Sequence, residues 1–148
     1  MNRLLEGDVG SGKTIVAGIT MYLVYLNGFQ SVFMSPTQIL ATQHYQTISK
    51  LLKPLGLKIK SFIGDEPINH KKNKADIYIG THALLFREIK LDRLALVIID
   101  EQQRFGVKQR AILREKGQNP HVLTMTATPI PRTVALTIYA DLDLSILK

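Results

Sequence analysis

The chain has 148 residues, is 45% hydrophobic and 21% charged, and sets 19 Lys and Arg against 12 Asp and Glu for a net charge of +7. This is globular usage with enough apolar content for one core, so a disordered tail, a collagen repeat and a coiled coil are excluded. The absence of Cys excludes a disulfide scaffold and thiolate metal sites, no apolar run reaches the roughly 18 residues of a membrane span, and the positive balance points to an anionic partner without choosing its class.

Short β-rich runs alternate with helical segments along the chain. Arg3–Glu6 reads as the end of a strand, and Lys13 to Asn27 as a helix with Ile15, Ile19, Tyr22, Leu23 and Leu26 at helical spacing and Gly28 as its stop. Ser31–Met34 reads as a strand. Thr37 to Lys53 reads as a second helix, with Ile39, Leu40, Ile48, Leu51 and Leu52 on its apolar side and Pro54 and Gly56 ending it. Lys58–Ile63, Ile77–Ile79, the continuous apolar run Leu96–Ile99 and Val122–Thr126 read as strands, with a polar, basic loop from Gly64 to Lys74. Val107–Glu115 and Pro131–Tyr139 are expected helices. The pattern predicts an α/β fold of three layers, αβα, with a mainly parallel sheet. One domain over residues 1–148 is expected, and because the chain starts almost on its first motif, it is expected to be a fragment of a larger one.

The strongest motif is Gly7-Asp8-Val9-Gly10-Ser11-Gly12-Lys13-Thr14, which fits G-x-x-x-x-G-K-S/T at every fixed position between a strand and a helix. Glycines let backbone N–H groups curl around phosphate oxygens, and the helix start adds positive charge. Lys13 then reaches the β- and γ-phosphates of a nucleotide and the Thr14 hydroxyl ligates Mg²⁺. The bland alternative is a glycine turn capping a helix.

A nucleotide site of this kind also needs a carboxylate at the end of a neighbouring strand. Leu96-Val97-Ile98-Ile99-Asp100-Glu101 supplies Asp100 for Mg²⁺ and Glu101 to orient or deprotonate water; capping of the next helix is the competing reading. Thr126-Ala127-Thr128 ends another strand, where hydroxyls can link the phosphate site to a second surface; an N-cap for the helix beginning near Pro131 is the competing reading. Ser35-Pro36-Thr37 and Gly80-Thr81-His82 also follow strands and by themselves read as turn and cap chemistry. His70-Lys71-Lys72-Asn73-Lys74 reads as a solvated loop, without aromatics for base stacking. His44, His82 and His121 lack metal-ligand spacing.

GDVGSGKT, SPTQILATQHY, IGTHALL, VIIDEQQRFGVKQR and TMTATPIPRTVALTIYADLDLS follow one another over nearly the whole chain. In that order they resemble the first RecA-like lobe of the RecG family of DNA helicases, in superfamily 2. The resemblance implies a P-loop NTPase domain of an ATP- and Mg²⁺-dependent translocase that remodels stalled forks and Holliday junctions. Pro36 and Thr37, and Gly80, Thr81 and His82, would then contact the DNA backbone. Gln103, Thr126, Ala127 and Thr128 would couple nucleotide to DNA. The family also implies partners in the same parent chain, a second RecA-like lobe with arginines for the ATP site and a wedge domain, together with branched or duplex DNA, a cytoplasmic location and no membrane.

Two departures stand out. Gln103 replaces the His of the family's Asp-Glu-Gln-His, keeping hydrogen bonding but not positive charge. The stretch from Gly64 to Asp76 is short for the family. The transcription-repair coupling factor, a translocase acting on RNA polymerase, shares DEQ-x-RFGV and TATPIPRT and is the nearest rival; a non-catalytic nucleotide- or DNA-binding module is the rival of another class.

Overall fold

The computed structural model describes residues 1–64, 74–87, 89, 91–101, 112, 115, 119–129, 131 and 143–148. The expected helices at 107–115 and 131–139 fall largely outside them, as do Gln103 and most of the basic run at 70–74.

Seven strands form one sheet: β1 (Asn2–Gly7), β2 (Gln30–Ser35), β3 (Ile59–Phe62), β4 (Ile77–Thr81), β5 (Leu94–Asp100), β6 (His121–Thr126) and β7 (Asp143–Leu147). Their order is β3-β4-β2-β5-β6-β1-β7, and every neighbouring pair is parallel. The sheet is therefore wholly rather than mainly parallel. The central strands explain this. Ser31 to Ser35 and Leu96 to Asp100 are buried without a break, as expected where both faces are covered.

Alternate residues feed two cores. Leu5, Phe33, Ile77, Ile98 and Met125 pack against α1 (Lys13–Leu26) and α2 (Gln38–Leu52). Val32, Met34, Tyr78, Val97 and Ile99 pack on the opposite face, where Ile112 also contributes. Leu52 of α2 gives way to a short 3₁₀ turn, Lys53–Leu55, with Gly56 in the left-handed region at φ 90°. Pro54 and Gly56 thus stop the helix as their chemistry dictates.

Of the side that the spacing of α1 predicts, only Tyr22 packs against the core. Ile15, Ile19, Leu23 and Leu26 are 53–59% exposed, whereas Ala17, Gly18 and Met21 are buried against the sheet. Small side chains at 17 and 18 allow a close approach, and Val16 and Val24 flank them. The α2 stripe is also only partly right: Ile48 and Leu52 are buried, while Ile39 is 74% and Leu51 42% exposed.

β7 went unread in the sequence. It pairs with β1 from Arg3↔Asp143 to Gly7↔Leu147. The Arg3 guanidinium donates to Ser145 Oγ at 2.7 Å and lies 3.5 Å from the Asp143 carboxylate, an exposed pair of small energetic weight.

Candidate nucleotide site

Strand register decides what meets at the carboxyl edge of the sheet. Glu6 of β1 is level with Thr126 of β6, and Asp100 of β5 is level with Met125 of β6. Only β6 separates β1 from β5, so the loop that leaves Gly7 starts about 10 Å from Asp100 at ordinary strand spacing. Leu5 and Ile98 face α1 and α2, and by the twofold alternation of a strand Gly7 and Asp100 share that face.

The loop carries glycine where its backbone turns left-handed. Gly10 and Gly12 sit at φ 83° and 92°, a region that side-chain-bearing residues rarely enter. A Cβ at Gly7 would lie 2.5 Å from Ser11 Oγ. Ser11 N–H donates to the Asp8 carbonyl at 3.1 Å, closing the turn. Gly12 precedes the first residue of α1, Lys13, and no acidic side chain occupies the first turn to compete for its positive end. Lys13 Nζ donates to the Gly7 carbonyl, and to that of Asp8 at 2.7 Å, so its ammonium lies within the loop. Thr14 is half-buried beside it, and Asp8, Val9 and Gly10 are exposed at the crest.

The Ser11 hydroxyl is buried and has no hydrogen-bond partner among the described residues. A buried hydroxyl of that kind costs free energy unless a ligand or water meets it. An unsatisfied donor, left-handed glycines and an ammonium held at the loop carbonyls all fit an oxyanion. On the donor set alone, the Thr14 hydroxyl and Asp100 carboxylate are oxygen ligands of the sort a hard divalent cation takes.

Beyond Asp100 the chain turns sharply. Glu101 is the one side-chain-bearing residue with positive φ among those described, at 53°, a conformation that costs roughly 1 kcal/mol or more. Two bonds hold it there: Glu101 N–H donates to the Met125 carbonyl at 2.9 Å, and Ala127 N–H donates to Glu101 Oε1 at 3.2 Å. The hydroxyls of Thr126 and Thr128 are 2.9 Å apart, and Thr128 N–H donates to Thr126 Oγ1 at 3.2 Å. Ala127 is therefore in direct contact with the carboxylate expected to act on water, and Thr126 and Thr128, bonded to each other, flank it. On the other side, His44 Nε2 of α2 lies 2.7 Å from Asp100 Oδ2. Sequence reasoning missed both contacts. Their partners are 26 and 56 residues apart, and no spacing rule reaches that far.

The remaining candidates follow along the same edge. Ser35 ends β2 level with Asp100, by extension of the pair Met34↔Ile99. Pro36 is half-buried, and Thr37 is exposed and caps α2, its Oγ1 accepting from Leu40 N–H at 3.2 Å. The cap reading of Thr37 thus holds. Thr81 ends β4, and His82 opens a 3₁₀ turn, His82–Phe86. Burial pulls the His82 imidazole below its ordinary value, so near pH 7 the ring is neutral and meets an anion by hydrogen bonding only. Gly80 is buried, and a Cβ there would lie 2.8 Å from the Phe62 carbonyl. Its identity is thereby explained by packing of β4 on β3. Gly80→Ala should cost roughly 1–3 kcal/mol of stability, because the obstructing atom is backbone; thermal unfolding of the variant measures it. Four strand steps take the edge from β4 to β1, about 19 Å.

A cleft of about 710 Å³ lies at the opposite, amino edge, between Tyr25, Phe29, Lys58, Asp76 and Arg93. None of the candidate nucleotide- or DNA-site residues lines it. Among the described residues there is no cluster of three or more His, Asp or Glu placed to hold a metal ion, and no helix long and apolar enough to cross a membrane.

The family model of the DEAD/DEAH box helicases matches residues 1–137. The chain belongs to that family. As a member of the DEAD/DEAH box helicases it carries a nucleotide-binding domain. It is 52% identical to the ATP-dependent DNA helicase RecG of Streptococcus pneumoniae over 99% of this chain and 23% of the relative. It is 50% identical to that of Aquifex aeolicus, over 99% of this chain and 20% of the relative. The chain thus spans about a fifth of the length of these helicases, and the resemblance read from its motifs holds across nearly all of its own length. Among solved structures, S. cerevisiae Dbp5 bound to RNA and ADP BeF3 superposes with a TM-score of 0.74 at 19% identity, over 99% of this chain and 42% of that one. The helicase MrfA bound to DNA and AMPPNP superposes with a TM-score of 0.72 at 19% identity, over 99% and 24%. Both show the shared RecA-like fold.

Proposed function

We propose that this chain is a single RecA-like domain, the first motor lobe of a RecG-type ATP-dependent DNA helicase that acts in the cytoplasm on branched or duplex DNA. In that reading a second RecA-like lobe and a wedge domain belong to the same parent chain. The observation that carries it is the register that sets Gly7, Thr126 and Asp100 on adjacent strand ends, with Lys13 within the loop that follows.

Lys13 binds the β- and γ-phosphates of ATP, and the amides of Gly10 to Lys13 line the oxyanions. Thr14 and Asp100 hold Mg²⁺, which when bound neutralises charge on the phosphate oxygens. Glu101 orients water and takes its proton, with Oε1 kept in place by Ala127 N–H. That bond makes Thr126, Ala127 and Thr128 sensors of the Glu101 position, and Gln103 is assigned to the same coupling from the resemblance. Pro36, Thr37, Gly80, Thr81 and His82 form the DNA-facing stretch of the edge, Gly80 through its backbone.

Such a surface binds phosphates rather than bases, so affinity must fall with salt. With three or four phosphate contacts, duplex DNA should bind roughly 40- to 150-fold more weakly at 200 mM than at 50 mM salt. Fluorescence anisotropy with duplex and junction DNA measures it. Salt-independent binding or strong base-sequence preference overturns the DNA assignment.

A further inference from the structure

We propose that His44 is a positioning residue that fixes the Asp100 carboxylate and so ties α2, whose first turn carries the candidate DNA contact, to the metal half of the nucleotide site. The proposal rests on the nucleotide-site reading above.

The contact is short and sheltered. His44 Nε2 and Asp100 Oδ2 are 2.7 Å apart, and the two side chains are only 15% and 12% exposed. An ionised carboxylate only accepts hydrogen bonds, so Nε2 carries the proton and donates. The ring is not free to turn away. It packs against Phe33 of β2, with ring centroids 4.6 Å apart. Phe33 in turn has no exposed surface. One carboxylate oxygen is thereby committed to the imidazole, and Oδ1 remains for a cation. An outer partner that orients a ligating carboxylate typically changes metal affinity or activity by roughly 10- to 100-fold when removed.

The same residue belongs to a rigid element. His44 lies seven residues after Thr37, about two helical turns and 10 Å along α2. Thr37 caps that helix and stands exposed at the edge assigned to DNA. A shift of α2 caused by phosphate at its first turn therefore moves the donor that holds Asp100. Neither Pro36 nor Thr37 needs to reach the nucleotide for this coupling to operate.

The test is a titration of the 148-residue chain with N-methylanthraniloyl-ADP over a series of free Mg²⁺ concentrations, for the unmodified protein, His44→Leu and His44→Gln. Leu fills a similar volume against Phe33 without a donor, and Gln restores a donor near the Nε2 position. His44→Leu should raise the half-saturating Mg²⁺ concentration roughly 10- to 100-fold, leave binding in EDTA unchanged, and unfold within the same temperature range. His44→Gln should stay within about threefold of the unmodified chain, because an amide N–H replaces the lost one. If the unmodified chain binds nucleotide no better with Mg²⁺ than in EDTA, the metal reading of the site fails and this proposal with it. If it shows the Mg²⁺ dependence and His44→Leu shares it, or if Gln is as damaging as Leu, only the role of His44 falls. Saturating duplex DNA should lower the Mg²⁺ half-point of the unmodified chain at least about fivefold and leave that of His44→Leu unmoved. No shift in the unmodified chain, or equal shifts in both, overturns the link through α2.

Discussion

In a chain that carries both motor lobes, Glu101→Gln should keep nucleotide affinity within about twofold while phosphate release falls roughly 10²- to 10⁴-fold, the usual worth of a positioned base. The structure makes this substitution unusually clean. The amide Oε1 of Gln can still accept from Ala127 N–H, as Glu101 Oε1 does at 3.2 Å. The backbone at φ 53° is no harder for Gln than for Glu. Shape, turn and contact with the Thr126-Ala127-Thr128 segment all survive, and only the ability to take a proton from water is lost. Equilibrium nucleotide binding beside a phosphate-release assay separates the two effects. A parallel loss of affinity would mean that Glu101 holds the site together rather than acting on water.

The 148 residues alone should bind Mg-ATP weakly and hydrolyse it roughly 10³- to 10⁵-fold more slowly than the same lobe joined to a second one, and DNA should not stimulate them. Phosphoryl transfer gathers negative charge on the γ-phosphate oxygens, and an arginine supplied from across a cleft is worth that factor. Among the described residues, the cation that the phosphate loop holds is Lys13. Arg104 and Arg132, the two arginines that flank the motifs, lie outside the described residues. Robust DNA-stimulated phosphate release by this chain, abolished by Glu101→Gln, would show that no second lobe is needed.

The parts of the site that were legible in the sequence share a cause: each is short, local and tied to a strand end. Gly7 to Thr14 and Asp100-Glu101 are runs of adjacent residues, a glycine loop with its ammonium opening α1 and two carboxylates at the end of β5. Strand cores were legible for the same local reason, since the runs at Ser31 to Met34 and Leu96 to Ile99 are apolar at both parities. The sequence readings of Lys13 to Asn27 and Thr37 to Lys53 lie within a residue of the observed helix bounds at either end, because Gly12, Thr37 and Gly56 punctuate them.

What escaped is non-local or ambiguous in period. α1 is apolar on two sides, so its 3.6-residue pattern could not say which side meets the sheet. Bulk suggested Ile15, Ile19, Leu23 and Leu26, but close packing preferred Ala17 and Gly18. β7 lacks a strong apolar run, and its exposed Asp143 and Ile146 give an edge-strand pattern that only pairing with β1 resolves. The His44–Asp100 and Glu101–Ala127 contacts join distant segments through the sheet order, which no single motif encodes.

The separation of the two edges also has a spectroscopic use. The 3₁₀ turn at Lys53–Leu55 sits at the amino side of the sheet, while the nucleotide and DNA candidates all sit at the carboxyl side. Leu55 in that turn is 49% exposed. The sequence contains neither Cys nor Trp, so a thiol or an indole introduced at position 55 would be unique in the molecule. A dye attached there stands beyond the far end of α2 from Thr37, about 27 Å of helix and turn away at the ordinary rise per residue. It would report rotation of the whole lobe on DNA without occupying any surface that the DNA or the nucleotide is assigned.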